Sequence, residues 1–468
     1  MNNQEVNFMK KAIIGILVVF VICFFALVSG DDESSTQQAE STQDKQISSA
    51  KDLLGGKSLQ KGKKLTKSFN YVVKDDTDDL DDQFEEEDVD EEDYDYENDE
   101  IDWDNVPEIK NWDELDPYIR ECRNLRRGTT DREIIIPVIL KNGFLRNINL
   151  DDVNRFVYIL SVKRVDMEIV YQEGRDIYAI IYAEHYNGTN IANAYLNNDT
   201  SQLDDEEMQI YNKAVQIVNQ ANQQPTPLRK ELFLHDYIIG NVEYYTDKNV
   251  TSTPRYITAI GAMIDGKANC QGYSDTFYML GTMAGFKMDR LYGSTKNFDG
   301  KKGNHVWNTI DFGDNIAYAV DVTWDDGIKI NGQEYPGYTY FNIPGNILLS
   351  THNWNDQIGL HFNYDKLQMN LDNRYFYNTP EYQQTNGQYF GAYSDNPQSA
   401  LQYLSQRILQ GYKVSYIMTK KDNNYTIPNS RNAISYLEQL NYNSGYNGRF
   451  YLQTTNLGQY TFFTLRLP

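Results

Sequence analysis

Apolar and polar positions along this chain change regime several times. Residues 12–28 form an unbroken apolar run, with Lys10 and Lys11 before it and Ser29-Gly30-Asp31-Asp32 after it. From there to about residue 110 apolar side chains are sparse. Periodic patterns begin near Trp112. Residues 167–171 and 177–182 carry the β-branched and aromatic side chains of strands. Residues 204–221 place Met208, Tyr211, Ala214, Val215 and Val218 on one helical face. Pro225 and Pro227 break that helix, and a second is expected over 228–242, with Leu232, Leu234, Tyr237, Ile238 and Val242 for packing. Residues 274–284 read as a helix through Phe277, Leu280 and Met283, with Gly285 as its stop. Residues 304–312 and 316–324 alternate as an antiparallel hairpin around Gly313-Asp314-Asn315. Past residue 363 the pattern predicts a helix over 399–409, a strand over 412–418, a helix over 433–440 and strands over 449–453 and 460–467. No repeat of fixed period is visible.

Charge sharpens this division. The chain of 468 residues has 43 Lys+Arg against 67 Asp+Glu, a net of −24. Between Asp75 and Asp104 stand 20 acidic residues and no basic one, so the remainder carries only about −4. Such a block stays solvated and self-repelling, and its composition cannot bury enough apolar surface to offset chain entropy. It lacks the glycine and ligand spacing of an EF-hand loop. It reads as a charged stalk, not a calcium site. The mildly acidic remainder offers no basic footprint for nucleic acid.

The apolar run of about 17 residues is just long enough to cross a bilayer. Basic residues before it and acidic residues after it put the N-terminus in the cytoplasm. It is expected to be an uncleaved anchor; the alternative is a secretory signal cut near Val28 and Gly30. On either reading the body of the protein is exported. The expected organisation is an anchor or signal over 1–30, a disordered acidic linker over 31–110, an N-terminal α+β region over 111–227, a catalytic domain over 228–362 and a C-terminal α/β accessory domain over 363–468. The last is Tyr- and Asn-rich, shows no chemical motif, and reads as a packing or interaction module.

Three cysteines, Cys23, Cys122 and Cys270, are too few for a disulfide framework. Cys122 reads as an ordinary thiol, although it could pair with Cys270 in an oxidising compartment. Cys270 lies in Gly266-Lys267-Ala268-Asn269-Cys270-Gln271-Gly272-Tyr273, at the start of the helix expected to follow. There the helix dipole favours a thiolate, and the free first-turn N–H can face an oxyanion. With a three-residue loop centred on Gly313, hairpin residues whose numbers sum to 626 face each other. His305 then lies opposite Asp321, with Ala317 and Ala319 leaving room on that face and Ile310, Phe312, Ile316, Tyr318 and Val320 on the core face. A slip of one residue would separate the pair. A thiol is mostly protonated at neutral pH, so it needs a base that takes its proton and returns it to the leaving group. A carboxylate on the far ring nitrogen fixes the tautomer and stabilises imidazolium. Cys270, His305 and Asp321 are therefore the candidate nucleophile, base and orienter.

These stretches resemble the transglutaminase-like superfamily, in particular its exported bacterial members. The pattern Gly-Lys-x-x-Cys-x-Gly-Tyr falls on residues 266–273, x-His-x-Trp-Asn on 304–308, and Asp-Val-Thr-Trp-Asp on 321–325. Residues 234–238 and 241–244, Tyr340-Phe341-Asn342 and Thr351-His352-Asn353-Trp354 also look like that family. The resemblance covers about 130 residues. It implies a papain-like α+β fold, with the cysteine on a helix packed against an antiparallel sheet that carries the histidine and aspartate. It implies acyl transfer on peptide or protein amides, by hydrolysis or by cross-linking to an amine. One departure is Ile260-Gly261-Ala262, where members often have Tyr-Gly-Ala. That leaves the second oxyanion donor open, with Tyr256 and Asn269 as candidates.

His235 is expected to pack on a helix face and His352 near the site; His185 and His361 give no signal. No His, Cys or Asp cluster has metal-ligand spacing, so no metal or cofactor is expected. The sequence thus predicts an exported cell-surface cysteine enzyme, preferably a hydrolase, acting on a peptide or protein substrate that could be wall-associated. A non-catalytic binding module on the same fold is the rival.

Overall fold

The structure is a computed structural model that describes residues 101–126, 128–245, 255–296, 302–330, 333–354, 366–379, 391–421 and 430–468. The apolar run 12–28 and the acidic linker up to residue 100 lie outside the described residues. Among the described residues no helix is long and apolar enough to cross a membrane. The described residues divide into two compact units, the first holding those up to 212 and 255–260, the second those from 213 to 245 and from 261 onward. The division falls inside the helix Asp205–Ala221.

In the first unit the strand Glu133–Leu140 lies between Glu108–Ile109, to which it is parallel, and Asp176–Glu184, which pairs in turn with Arg164–Glu173. The last two strands are the hairpin expected from residues 167–171 and 177–182. The linker was expected to run to residue 110, and here the structure differs. Ile101, Trp103 and Val106 are buried with Ile139 and Ile180, and Ile109 joins the sheet edge. The apolar residues interspersed at the end of the acidic run bury enough surface to fix it. Elsewhere in this unit the fully buried Glu207 is held by Arg132, at 2.5 and 3.1 Å, and by the Asn187 amide at 2.7 Å. A buried carboxylate needs such partners.

The second unit positions the chemistry. Thr226 caps the helix Pro227–Ile239 and Pro227 opens it, a helix-start pairing that needs no lost hydrogen bond. The helix ends short of the expected residue 242, with Gly240 at its C-cap. The helix Cys270–Met283 buries Tyr273, Phe277, Leu280 and Met283 and packs on a four-stranded sheet. The strand order there is His352–Asn353, Lys287–Lys296, Lys302–Asp311, Ala317–Val320, all antiparallel. A buried Arg290–Asp275 ion pair of 2.5 Å ties helix to sheet.

A second four-stranded sheet, in the order Tyr393–Ser394, Val414–Lys420, Tyr460–Arg466, Tyr451–Leu457, belongs to the same unit. The helices Pro397–Leu409 and Ser430–Asn443 share its core through Leu401, Leu404, Leu437 and Phe463. Tyr416 from this sheet donates to the Pro336 carbonyl at 2.9 Å, and its ring meets Tyr338 and Phe376. The fold is mixed helix and sheet, the expected α+β class.

The hairpin register is informative. Asn308 faces Val320 and Asp311 faces Ala317, so facing numbers sum to 628, not 626. The turn is longer because Asp311 Oδ1 accepts from the N–H groups of Gly313 and Asn315, with Gly313 and Asn315 both at positive φ. A shift of two preserves side-chain parity. His305 and Asp321 stay on one side of the sheet, diagonal to each other instead of opposite.

Candidate active site

Asn269 begins the site. Its side-chain oxygen accepts from the N–H groups of Gln271 and Gly272 at 3.0 and 3.4 Å, capping the helix so that Cys270 is its first residue. The Cys270 N–H therefore has no partner inside the helix. This use of Asn269 as a cap explains its place before the cysteine better than an oxyanion role does. Tyr256, the other candidate donor, belongs to the first unit.

His305 comes from the strand Lys302–Asp311, opposite Gly293. A Cβ at position 293 would run into the Asn353 carbonyl and the Trp307 ring, so glycine lets three strands close up beside the histidine. Asp321 follows the strand Ala317–Val320 and caps the short helix Val322–Asp325, its Oδ1 accepting from the Trp324 N–H at 3.0 Å. The chain thus leaves the expected strand at Asp321, and that bend aims the carboxylate back at His305. His305 Nε2 lies 2.7 Å from Asp321 Oδ2. Cys270 lies near enough to the same imidazole to favour its charged form.

The three sequence-predicted residues are therefore brought together. Both members of the His305–Asp321 pair are buried, while Cys270 is only partly so. Burial disfavours imidazolium at His305. The Asp321 charge, the Asp321 hydrogen bond and the contact with Cys270 outweigh it, raising the imidazole to about 10. Burial would raise Asp321, yet the His305 charge and the bonds from both histidines hold its carboxyl well below the usual carboxylate range.

Sequence reasoning gave His352 only a packing place. It is fully buried on the neighbouring strand, and its Nε2 lies 2.9 Å from the same Asp321 oxygen. Thr351 Oγ1 lies 2.8 Å from its Nδ1. Burial lowers His352 to about 4, against the pull of Asp321, so the ring is neutral. With one proton to place, Nε2–H donates to Asp321 and Nδ1 accepts from Thr351. The signal missed was pairing of His352 with Thr295 and of Asn353 with Ser294, which only the fold discloses. Trp307, Trp324 and Tyr340 surround the two rings, with centroids 4.6 to 5.3 Å from His352.

His305, Asp321 and His352 form the one group among the described residues with ligand atoms close enough to hold a metal. Contacts of 2.7 and 2.9 Å to one oxygen are hydrogen-bond distances, and they account for the approach without an ion. His235, expected as packing, is buried but bonded on both nitrogens, to Asp236 at 3.1 Å and Asp325 at 3.3 Å. Burial opposes its charge, but those carboxylates raise it to about 9. His185 is buried in the first unit, and His361 lies outside the described residues. Cys122 and Cys270 are both free thiols. Burial pushes Cys122 up to about 12.

Residues 215–322 match the model of the transglutaminase-like superfamily. The chain carries a transglutaminase-like domain there, and Cys270, His305 and Asp321 all fall inside it. No curated protein matches the sequence. Among solved structures, Legionella pneumophila LapG in its EGTA-treated form is similar at 11% identity, covering 33% of this chain and 76% of LapG with a TM-score of 0.21. The crystal structure of a TGase is similar at 14% identity, covering 50% of this chain and 62% of that one with a TM-score of 0.23. Likenesses this slight carry no functional assignment.

Proposed function

We propose that this protein is an exported cysteine acyl-transfer enzyme that hydrolyses amide bonds in peptides or proteins. The observation that carries the reading is the His305–Asp321 contact of 2.7 Å beside a helix-start cysteine. In this mechanism the Cys270 thiolate attacks the substrate carbonyl carbon, and the Cys270 N–H donates to the oxyanion. Protonated His305 delivers its proton to the leaving amine, and a thioester remains. His305 then takes a proton from water, the hydroxide adds to the thioester carbonyl and displaces the Cys270 thiolate, and the free acid departs. Asp321 holds the imidazolium throughout.

Partial exposure of Cys270 favours water as the second nucleophile. The second reading, attack by a lysine amine to cross-link proteins, uses the same acyl-enzyme and needs water kept out. The apolar run at 12–28 supports a membrane anchor with the enzyme outside the cell, where wall-associated peptides are the expected substrates. The test is to incubate the purified chain with a protein mixture and a fluorescent primary amine, then analyse products by mass spectrometry. New chain termini or deamidated glutamines, absent with Cys270→Ala, are the expected result. Amine incorporation in their place would establish the cross-linking reading. No Cys270-dependent product of either kind would leave only the binding module.

A further inference from the structure

The mechanism above uses one histidine, yet two place a ring nitrogen on the same buried oxygen. His352 has no exposed surface, and both of its nitrogens are used. A site lined by Trp307, Trp324 and Tyr340 would be filled at less cost by an apolar side chain, because a buried imidazole must find a partner for each nitrogen. What the imidazole adds is a second N–H on Asp321 Oδ2.

We infer that His352 is a positioning residue for the Cys270–His305–Asp321 site, locking the Asp321 carboxylate in the rotamer that faces His305. The inference rests on the acyl-transfer reading. Asp321 is fixed from two directions: the Trp324 N–H holds Oδ1 at 3.0 Å, and His352 holds Oδ2 at 2.9 Å. The second bond lies across the carboxylate from the first, so together they stop rotation about the Cα–Cβ and Cβ–Cγ bonds. A freely turning carboxylate would meet His305 only part of the time. Proximity counts in catalysis only when orientation is held, and donors that orient a ligand or carboxylate from behind commonly tune it.

Neutrality of His352 is part of the device. A charged second imidazole would compete with His305 for the carboxylate. The Asp321 carboxylate, which can only accept, keeps the single proton on Nε2. The titratable groups facing this cluster are Cys270, His305, Asp321, Asp325 and Tyr340, the last two acting on Asp321 or its neighbours through charge. None supplies an N–H that could replace the one from His352.

The test uses the full chain and follows iodoacetamide labelling of Cys270 against pH by peptide mass, in wild type, His352→Leu, His352→Gln and His352→Asn. The Gln amide can reach the place of Nε2 and donate to Asp321; the Leu and Asn side chains cannot. The expected result is about tenfold slower labelling at pH 6 in the Leu and Asn variants, with the wild-type rate restored by Gln. Hydrolysis of a peptide amide should lose kcat in step, with KM little changed. Folding is checked by thermal melting. If Leu unfolds the chain, the Gln–Asn contrast decides alone. Unchanged or faster labelling at pH 6 in folded Leu or Asn variants, or a Gln variant that behaves like Asn, overturns the inference while leaving the acyl-transfer reading intact. A wild-type profile like that of free cysteine would take down both.

Discussion

Replacing Asp321 by asparagine separates the two forces acting on His305. Burial alone favours neutral imidazole, and a free histidine has a pKa near 6.5. In the folded protein His305 is raised to about 10, and at about 1.4 kcal/mol per unit that is roughly 5 kcal/mol in favour of imidazolium. The Asp321 carboxylate supplies most of it. Asp321→Asn removes the charge while conserving shape, so burial is opposed only by the contact with Cys270, and His305 should fall well below its wild-type value. The same variant leaves the amide to choose between facing two N–H groups with its oxygen and turning its own NH2 toward one of them, so the tautomer of His305 is no longer fixed. Loss of that control elsewhere costs about 10⁴ in kcat. The assay is NMR of isotope-labelled histidine, with five signals for the five histidines assigned by single substitution. Wild type should show a His305 signal that stays protonated through neutral pH; Asp321→Asn should show it neutral there. A His305 signal that titrates near 6.5 in both proteins would refute the reasoning, because it would mean that the carboxylate is not coupled to the ring.

Other expectations concern the frame of the site. Glu231 is fully buried, and burial raises it to about 8 against the Asn342 hydrogen bond and the His235 charge. A raised folded value means that its contribution is fully present below about 4.5 and is lost as pH rises toward about 8. Glu231→Gln should therefore be nearly neutral in a urea melt at about pH 4.5 and stabilise by a few kcal/mol at about pH 8; a gain independent of pH would contradict this. Asn269→Ala removes the cap of the Cys270 helix and should lower stability by about 1 kcal/mol, read from the melting midpoint. Gly293→Ala forces a methyl into the Asn353 carbonyl and Trp307 ring and should cost about 1–3 kcal/mol. It should also slow labelling of Cys270, because it pushes the His352 strand away; an unchanged melt would mean that the strands have room there.

Much of the site was legible because its residues sit on regular elements with strong periods. The cysteine helix is apolar at helical spacing, and both hairpin strands alternate. Even an error of two in register left His305 and Asp321 on one side, since parity depends only on even shifts. What could not be read depends on distant partners. The central strand Lys287–Lys296 carries Asp289, Arg290 and Ser294, which spoil an apolar pattern. Arg290 is paired with Asp275, fifteen positions away in the chain, so polarity there gives no sign of exposure. His352 lies in a strand of two residues, too short for any period to show. The ordered end of the linker was hidden by its charge, because Trp103 and Val106 find their partners in strands over thirty residues later.

The central claim is that Cys270 and His305 form a thiolate–imidazolium pair, and alkylation tests it most directly. The chain is treated with iodoacetamide from about pH 5 to about pH 10, and labelling at each cysteine is followed by peptide mass in wild type and His305→Ala. Cys122 serves as an internal control, because its buried thiol is pushed up to about 12. The prediction is rapid labelling of Cys270 already at neutral pH, lost in His305→Ala, while Cys122 stays slow in both. A Cys270 profile like that of free cysteine and indifferent to His305→Ala would contradict the claim.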